Sequence, residues 1–208
     1  MMRTVGIVVF DDVEVLDFAG PFEVFGVAGS VVAADGSDRA FRPILVTERP
    51  GPVVARNGFS VNPHATFADC PPLDIVLVPG GGGYRADGSP YGSRKEMVNP
   101  VMTDWVREQD DRTELTLSVC TGALVLGAAG LLDGLRATTH HQAYGALRRL
   151  VPTATVVEGV KAVDAGRIVT SGGISAGIDM SLGVVARLLG DEVAASTARQ
   201  MEYDWAPV

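Results

Sequence analysis

Residues 114–132 read ELTLSVCTGALVLGAAGLL. Glu114–Val119 reads as a strand that ends at Cys120, and Thr121–Leu132 as a helix of small residues. The junction, Ser118-Val119-Cys120-Thr121-Gly122, carries a small residue two places before the thiol and another two places after it. A strand that turns straight into a helix crowds its own backbone, so small neighbours are needed and the residue at the tip is strained. Cys120 is therefore expected at a positive φ, above the edge of a sheet. It is also expected at a helix N-terminus, where the dipole would favour thiolate and the Thr121 N–H would face a developing anion. The plainer reading of a cysteine in an apolar stretch is a small buried hydrophobe.

Outward from the elbow the same alternation continues. Thr4–Phe10 and Asp74–Val78 are continuous apolar runs, as in strands covered on both faces. Phe41–Thr47 is a further strand, with Pro43 placing it at an edge or a strand start. A helix is expected from Pro21 onward. Others are expected over Asn99–Gln109, Gln142–Leu150, Ser175–Leu189 and Asp191–Tyr203. Val53–Ala55 and Phe59–Val61 flank Asn57-Gly58 as a hairpin. Thr153–Val160 and Arg167–Thr170 read as strands joined at Asp164-Ala165-Gly166. Strands alternating with helices predict an α/β fold, a mostly parallel sheet covered by helices, as one domain over residues 1–208.

The 208 residues are 47% hydrophobic and 20% charged, which excludes disorder. The net charge of −8 and the lack of a basic stripe exclude nucleic acid and anionic membrane surfaces as expected partners. The apolar run Gly122–Leu132 falls far short of the ~18 residues that span a bilayer. With an N-terminus unlike a signal peptide, the expected setting is cytoplasmic. Two cysteines and three histidines, without Cys-x-x-Cys or His-Glu-x-x-His, leave no expected metal or other cofactor.

Four other features compete for function. Gly81-x-Gly83-x-x-Ala86 follows a strand as a dinucleotide fingerprint does, but Asp87-Gly88-Ser89-Pro90 cannot open the required helix. It reads instead as a loop lining a pocket mouth at the sheet edge. Gly173-Ile174-Ser175-Ala176-Gly177 matches the hydrolase G-x-S-x-G pattern, yet no histidine lies beyond His141 to serve as base. Ser175 is therefore read as a helix cap with glycines for close packing. Cys70, in Ala68-Asp69-Cys70-Pro71-Pro72, is an incidental loop thiol, and His64 is read as exposed. Asp17 is a carboxylate among apolar residues just after the first strand, a costly placement without a partner.

Taken together, Leu16-Asp17-Phe18-Ala19-Gly20-Pro21, Val78-Pro79-Gly80-Gly81, Ser118-Val119-Cys120-Thr121-Gly122, Ala137-Thr138-Thr139-His140 and Ser175-Ala176-Gly177-Ile178-Asp179-Met180 resemble the ThiJ/PfpI superfamily, which is glutamine-amidotransferase-like. Its isonitrile hydratase branch is the nearest in style. The resemblance implies a flavodoxin-like α/β/α sandwich, a homodimer, and a nucleophilic Cys120 close to Asp17. It implies catalytic roles for Cys120, Asp17 and Thr121, with the Thr121 hydroxyl placing water or Asp17. Gly81, through its N–H, and His140 are the implied substrate contacts, with a small molecule as substrate. The branch usually has Trp after the Thr-Thr-His triplet, where this chain has His141.

The amidotransferase activity of the superfamily needs a histidine far downstream, which is absent. The protease-like branch, and the glyoxalase or deglycase reading with it, expects His after the cysteine, where Thr121 stands. The same sequence style occurs in the ligand domains of AraC-type regulators. No helix-turn-helix segment precedes Val208, so a stand-alone sensor is the non-enzyme alternative. Hydration of an isonitrile to an N-substituted formamide is the leading expectation.

Overall fold

The computed structural model describes residues 2–33 and 39–206. In chain order the strands are β1 (Arg3–Val8), β2 (Phe41–Thr47), β3 (Val53–Val54), β4 (Ser60–Val61), β5 (Ala65–Thr66), β6 (Ile75–Val78), β7 (Gly82–Tyr84), β8 (Pro90–Gly92), β9 (Leu115–Ser118), β10 (Arg136–Ala137), β11 (Thr155–Val156), β12 (Ala162–Asp164) and β13 (Ile168–Ser171). The helices are α1 (Val15–Ala33), α2 (Ser93–Glu96), α3 (Pro100–Asp110), α4 (Gly122–Ala128), α5 (Tyr144–Leu150), α6 (Ala176–Leu189) and α7 (Asp191–Gln200).

Seven strands form one sheet in the order β12-β13-β9-β6-β1-β2-β5. Every neighbouring pair is parallel except β12–β13. The apolar runs of β1 and β6 lie at its centre with Val5, Ile7, Val8 and Ile75–Val78 inaccessible to solvent. This is what a sheet with helices on both faces requires. Pro43 lies on β2 opposite Val5 of β1, at a level that β5 does not reach, so its missing N–H leaves no ladder bond unmade there.

Three expectations need correction. The helix after β1 begins at Val15, not near Pro21, so Asp17 lies in its first turn and Pro21 in its interior. Pro21 has no N–H to return to the Asp17 carbonyl, but one missing bond is outweighed by burial of Phe18, Val24 and Phe25. The antiparallel partner of β13 is Ala162–Asp164. The expected strand Thr153–Val160 shrinks to β11, which pairs with β10 outside the main sheet. The helix after Cys120 ends at Ala128, and turns fill the stretch to Gly134.

Val15–Val32 is long and apolar enough to cross a membrane by length and composition alone, with mean hydropathy 1.5. The helix nevertheless packs on β2, α6 and α7, so its apolar residues serve the core. Small residues permit that approach. A Cβ at Gly20 would lie 3.0 Å from Ile178, and one at Gly29 would lie 2.7 Å from the Phe41 carbonyl oxygen.

Candidate active site

β9 ends at Ser118, α4 starts at Gly122, and Cys120 between them has φ 56. A non-glycine residue held there costs on the order of 1–3 kcal/mol, so something must hold it. Both backbone groups of Cys120 are tied. Its N–H donates to the carbonyls of Ser171 and Gly172 at 3.1 and 3.0 Å. Its carbonyl accepts the Thr139 hydroxyl at 2.7 Å. Thr139 belongs to the Thr-Thr-His triplet, and this clamp is a role that the sequence did not show.

Asp17 comes to the same place from the first turn of α1 and is fully buried. Its Oδ2 accepts the Gly80 N–H at 3.0 Å, while Oδ1 is buried with no hydrogen-bond partner among the described residues. The Cys120 thiol lies beside this carboxyl, close enough for the two to shift each other's titration. Gly80 is the hinge of this meeting: a Cβ there would lie 2.5 Å from Thr121 Oγ1 and 3.0 Å from Asp17 Oδ2.

Burial pushes the Asp17 carboxyl up to about 7; the Gly80 N–H offsets part of this and nearby Glu14 adds to it. The thiol is also raised, first by burial and then by the Asp17 charge. The Thr121 N–H, which favours thiolate, does not compensate. The expected lowering of the Cys120 pKa is thus reversed. α4 is only seven residues long, and its N-terminus cannot offset desolvation beside a carboxylate. At neutral pH the thiol keeps its proton and Asp17 stands near half-ionisation.

Thr121 and Gly81 are arranged differently from expectation. The Gly81 N–H donates to Thr121 Oγ1 at 3.1 Å, so it is not open to a substrate. Ser93 Oγ lies 2.8 Å from Thr121 Oγ1 and donates to the Gly81 carbonyl at 2.7 Å. Since the Ser93 proton is used on Gly81, Thr121 must donate to Ser93, and its hydroxyl is not free to place water. The three residues close a buried ring that fixes the loop after β6 against the elbow. Ser93 had no sequence signal beyond its place after the glycine-rich stretch. That stretch is a β7–β8 hairpin rather than a loop. Gly82 and Gly92 face each other at its base, where a Cβ on Gly92 would come 2.7 Å from the Gly82 Cα.

His140 does reach the site. A Cβ at Gly173 would clash with the His140 ring and lie 3.0 Å from Cys120 Sγ, so ring and sulfur meet over a glycine. Burial, with His141 and Arg94 nearby, lowers the His140 pKa and keeps the ring neutral. Its Nδ1 accepts the Gln142 N–H at 3.3 Å, which assigns the ring proton to Nε2. His141 is exposed, with its ring centroid 4.3 Å from that of His140. Arg94, which the sequence did not single out, is half-buried on α2 within electrostatic reach of Cys120, Tyr84 and His140. Ser175 occupies the N-cap of α6 but makes no side-chain cap bond, which corrects its expected role. Cys70 is partly buried, and burial beside Asp69 raises its pKa to about 11. His64 is exposed, with Nδ1 accepting the Leu45 N–H at 2.9 Å. No group of three or more His, Cys, Asp or Glu side chains suited to a metal occurs among the described residues.

The DJ-1/PfpI family model matches residues 3–187. An isonitrile hydratase of Pseudomonas putida is 37% identical over 214 aligned residues, covering 100% of this chain and 81% of the relative. The HTH-type transcriptional regulator CdhR of Pseudomonas aeruginosa is 32% identical, covering 86% of this chain but only 51% of the regulator. Among solved structures, a THiJ/PfpI family protein from Pseudomonas syringae superposes with TM-score 0.83 at 28% identity, covering 100% of this chain and 77% of that one. With an elbow at Cys120, a carboxyl buried against it and a family match along nearly the whole chain, this protein belongs to the DJ-1/PfpI family.

Proposed function

We propose that the protein hydrates isonitriles, R–N≡C, to N-substituted formamides, R–NH–CHO. The observation that carries this reading is the buried Asp17 carboxyl, poised near neutrality with its Oδ1 unpartnered beside the Cys120 thiol. The terminal carbon of an isonitrile must gain both a nucleophile and a proton, and this pair supplies both. Full-length similarity to an isonitrile hydratase supports the same choice.

Asp17 carboxylate takes the thiol proton as sulfur attacks the terminal carbon, then returns that proton to the same carbon. The product is the thioimidate R–N=CH–S–Cys120. Water adds to its carbon as Asp17 takes one water proton and passes that same proton to the nitrogen, which leaves Asp17 a carboxylate again. The adduct R–NH–CH(OH)–S–Cys120 then releases R–NH–CHO, and the hydroxyl proton returns to sulfur by way of Asp17. Atoms and charge balance without metal or organic cofactor. The Thr121 N–H steadies the sulfur while it carries charge, and neutral His140 walls the substrate side with its Nε2 proton.

The test is a panel of small isonitriles with purified protein, with formamide measured directly and Cys120→Ala as control. Turnover that survives in Cys120→Ala, or no turnover across the panel, refutes the reading. Similarity to CdhR favours a second reading, a ligand-sensing domain. It predicts saturable binding of a small molecule that is recovered unchanged. The family resemblance also carries a homodimer, in which a second copy covers part of the apolar stretch Phe22–Val32 on α1. Sedimentation showing only monomer at micromolar concentration refutes that assembly.

A further inference from the structure

Arg94 is alone among the arginines of the described residues. Arg3, Arg49, Arg56, Arg85, Arg107, Arg148, Arg167 and Arg187 each pair with a carboxylate. The others without such a pair are exposed to water, except Arg94, which is half-buried. Its guanidinium carries five N–H donors. The one hydrogen bond it makes among the described residues is a long one, 3.4 Å from Nη1 to Ser93 Oγ. That oxygen belongs to the ring that ends on Thr121, next to the nucleophile. Cys120 and His140 both lie within electrostatic reach of its guanidinium. Glu14, the nearby acid of the site, is already engaged by Arg56 at 3.4 Å. Partial removal of a cation from water without a counter-charge is unfavourable, and a substrate anion is the partner that this position lacks.

We propose that Arg94 is a specificity-determining residue that binds a carboxylate on the substrate held at Cys120. The preferred isonitriles would then be acids. The planar fork of a guanidinium matches a carboxylate with two parallel hydrogen bonds, and donors left over from Ser93 are available for it. Naming the substrate as an isonitrile rests on the proposed function, whereas the anion site does not.

The experiment has two arms. In the first, isocyanoacetate and its methyl ester are compared as substrates of the parent, Arg94→Gln and Arg94→Lys. The parent should prefer the acid by about tenfold or more in kcat/KM, mainly through KM, with the preference shrinking as salt is added. Arg94→Gln should lose at least about tenfold more on the acid than on the ester, and Arg94→Lys should recover part of the difference. Equal losses on both substrates would mean that Arg94 acts on the sulfur, and would overturn the proposal. The second arm needs no turnover. Cys120 is alkylated with iodoacetate or iodoacetamide, and Cys70 in the same digest reports the intrinsic preference. The iodoacetate-to-iodoacetamide rate ratio at Cys120 should exceed that at Cys70 by about tenfold and fall toward it in Arg94→Gln. Failure of hydration with this ratio intact removes the proposed function and leaves the anion site. A parent protein showing preference for the anion in neither arm overturns the inference.

Discussion

Two junctions in this molecule share one sequence pattern and lie side by side. Ser118-Val119-Cys120-Thr121-Gly122 leaves β9, and Gly173-Ile174-Ser175-Ala176-Gly177 follows β13, the parallel neighbour of β9. Both place a nucleophilic side chain between a strand and a helix. Cys120 is buried at φ 56, with its N–H and carbonyl both clamped. Ser175 is exposed in an ordinary helical conformation, φ −72 and ψ −21, with no cap bond from its side chain. Cys120 faces a buried carboxyl, whereas Ser175 faces water. The shared spacing reports only that a strand gives way to a helix in little room. Chemistry depends on the strained tip and on a second group brought to it, and the second junction supports the first by presenting Gly173 to the sulfur.

The largest expected effect separates the two tips. Cys120→Ala should lower isonitrile hydration by on the order of 10⁴–10⁶, the scale of losing a nucleophile. Ser175→Ala should stay within about twofold in the same formamide assay. Comparable losses in both variants would erase the distinction.

Next comes the carboxyl that only the first junction has. Asp17→Asn keeps the shape but cannot hold or return a proton, so a loss of ~10²–10⁴ in kcat/KM is expected. With its carboxyl near 7, the parent rate should climb from pH 5 through 7 and level off above about pH 8, while the variant's residual rate should lack that rise. Stability should move the other way. A carboxyl raised from 3.8 to about 7 by folding contributes stability that is full below pH 4 and is lost as pH rises through 7. Asp17→Asn should therefore gain on the parent between pH 4 and 8, by about 4 kcal/mol at most. Urea midpoints at the two pH values measure this, and a constant difference would show that Asp17 does not titrate in this range.

The alternation of apolar strands and small-residue helices was legible because periodicity survives in any context. The elbow was legible too, since crowding at a strand-to-helix turn selects residue size at fixed offsets. Proton placement was not. The sequence shows a helix N-terminus after Cys120 but not that burial and Asp17 outweigh it. The start of α1 was misplaced because Pro21 reads as a helix opener, while packing of Phe18 and Phe25 extends the helix back to Val15. Ser93 and Thr139 act through hydrogen bonds to elbow residues 28 and 19 positions away, and Arg94 influences Cys120 electrostatically from 26 positions away; no local pattern encodes such distances.

A smaller effect distinguishes the glycines two places after each tip. A Cβ on Gly122 would run into the Val78 carbonyl oxygen, which is sheet backbone and cannot yield. A Cβ on Gly177 would lie 2.9 Å from both methyls of Val119, which can turn aside. Gly122→Ala should cost about 3 kcal/mol or more, and Gly177→Ala about 1–2 kcal/mol, by urea unfolding. The reverse order would mean that the second junction is the more tightly built.

The smallest effect lies at the caps. An N-cap side chain that accepts a helix N–H contributes about 1 kcal/mol. Asn99 does so at the start of α3, where its side chain accepts the Val101 N–H at 3.1 Å, and its amide also reaches Glu48 and Glu96. Ser175 holds the corresponding position on α6 without any such bond. Asn99→Ala should therefore cost about 1 kcal/mol or more in chemical unfolding, and Ser175→Ala less than about 0.5 kcal/mol. Alanine also forms helix better than serine, which works against any loss at 175. A cost at Ser175 equal to that at Asn99 would restore its reading as a cap and show that its hydroxyl turns inward in solution.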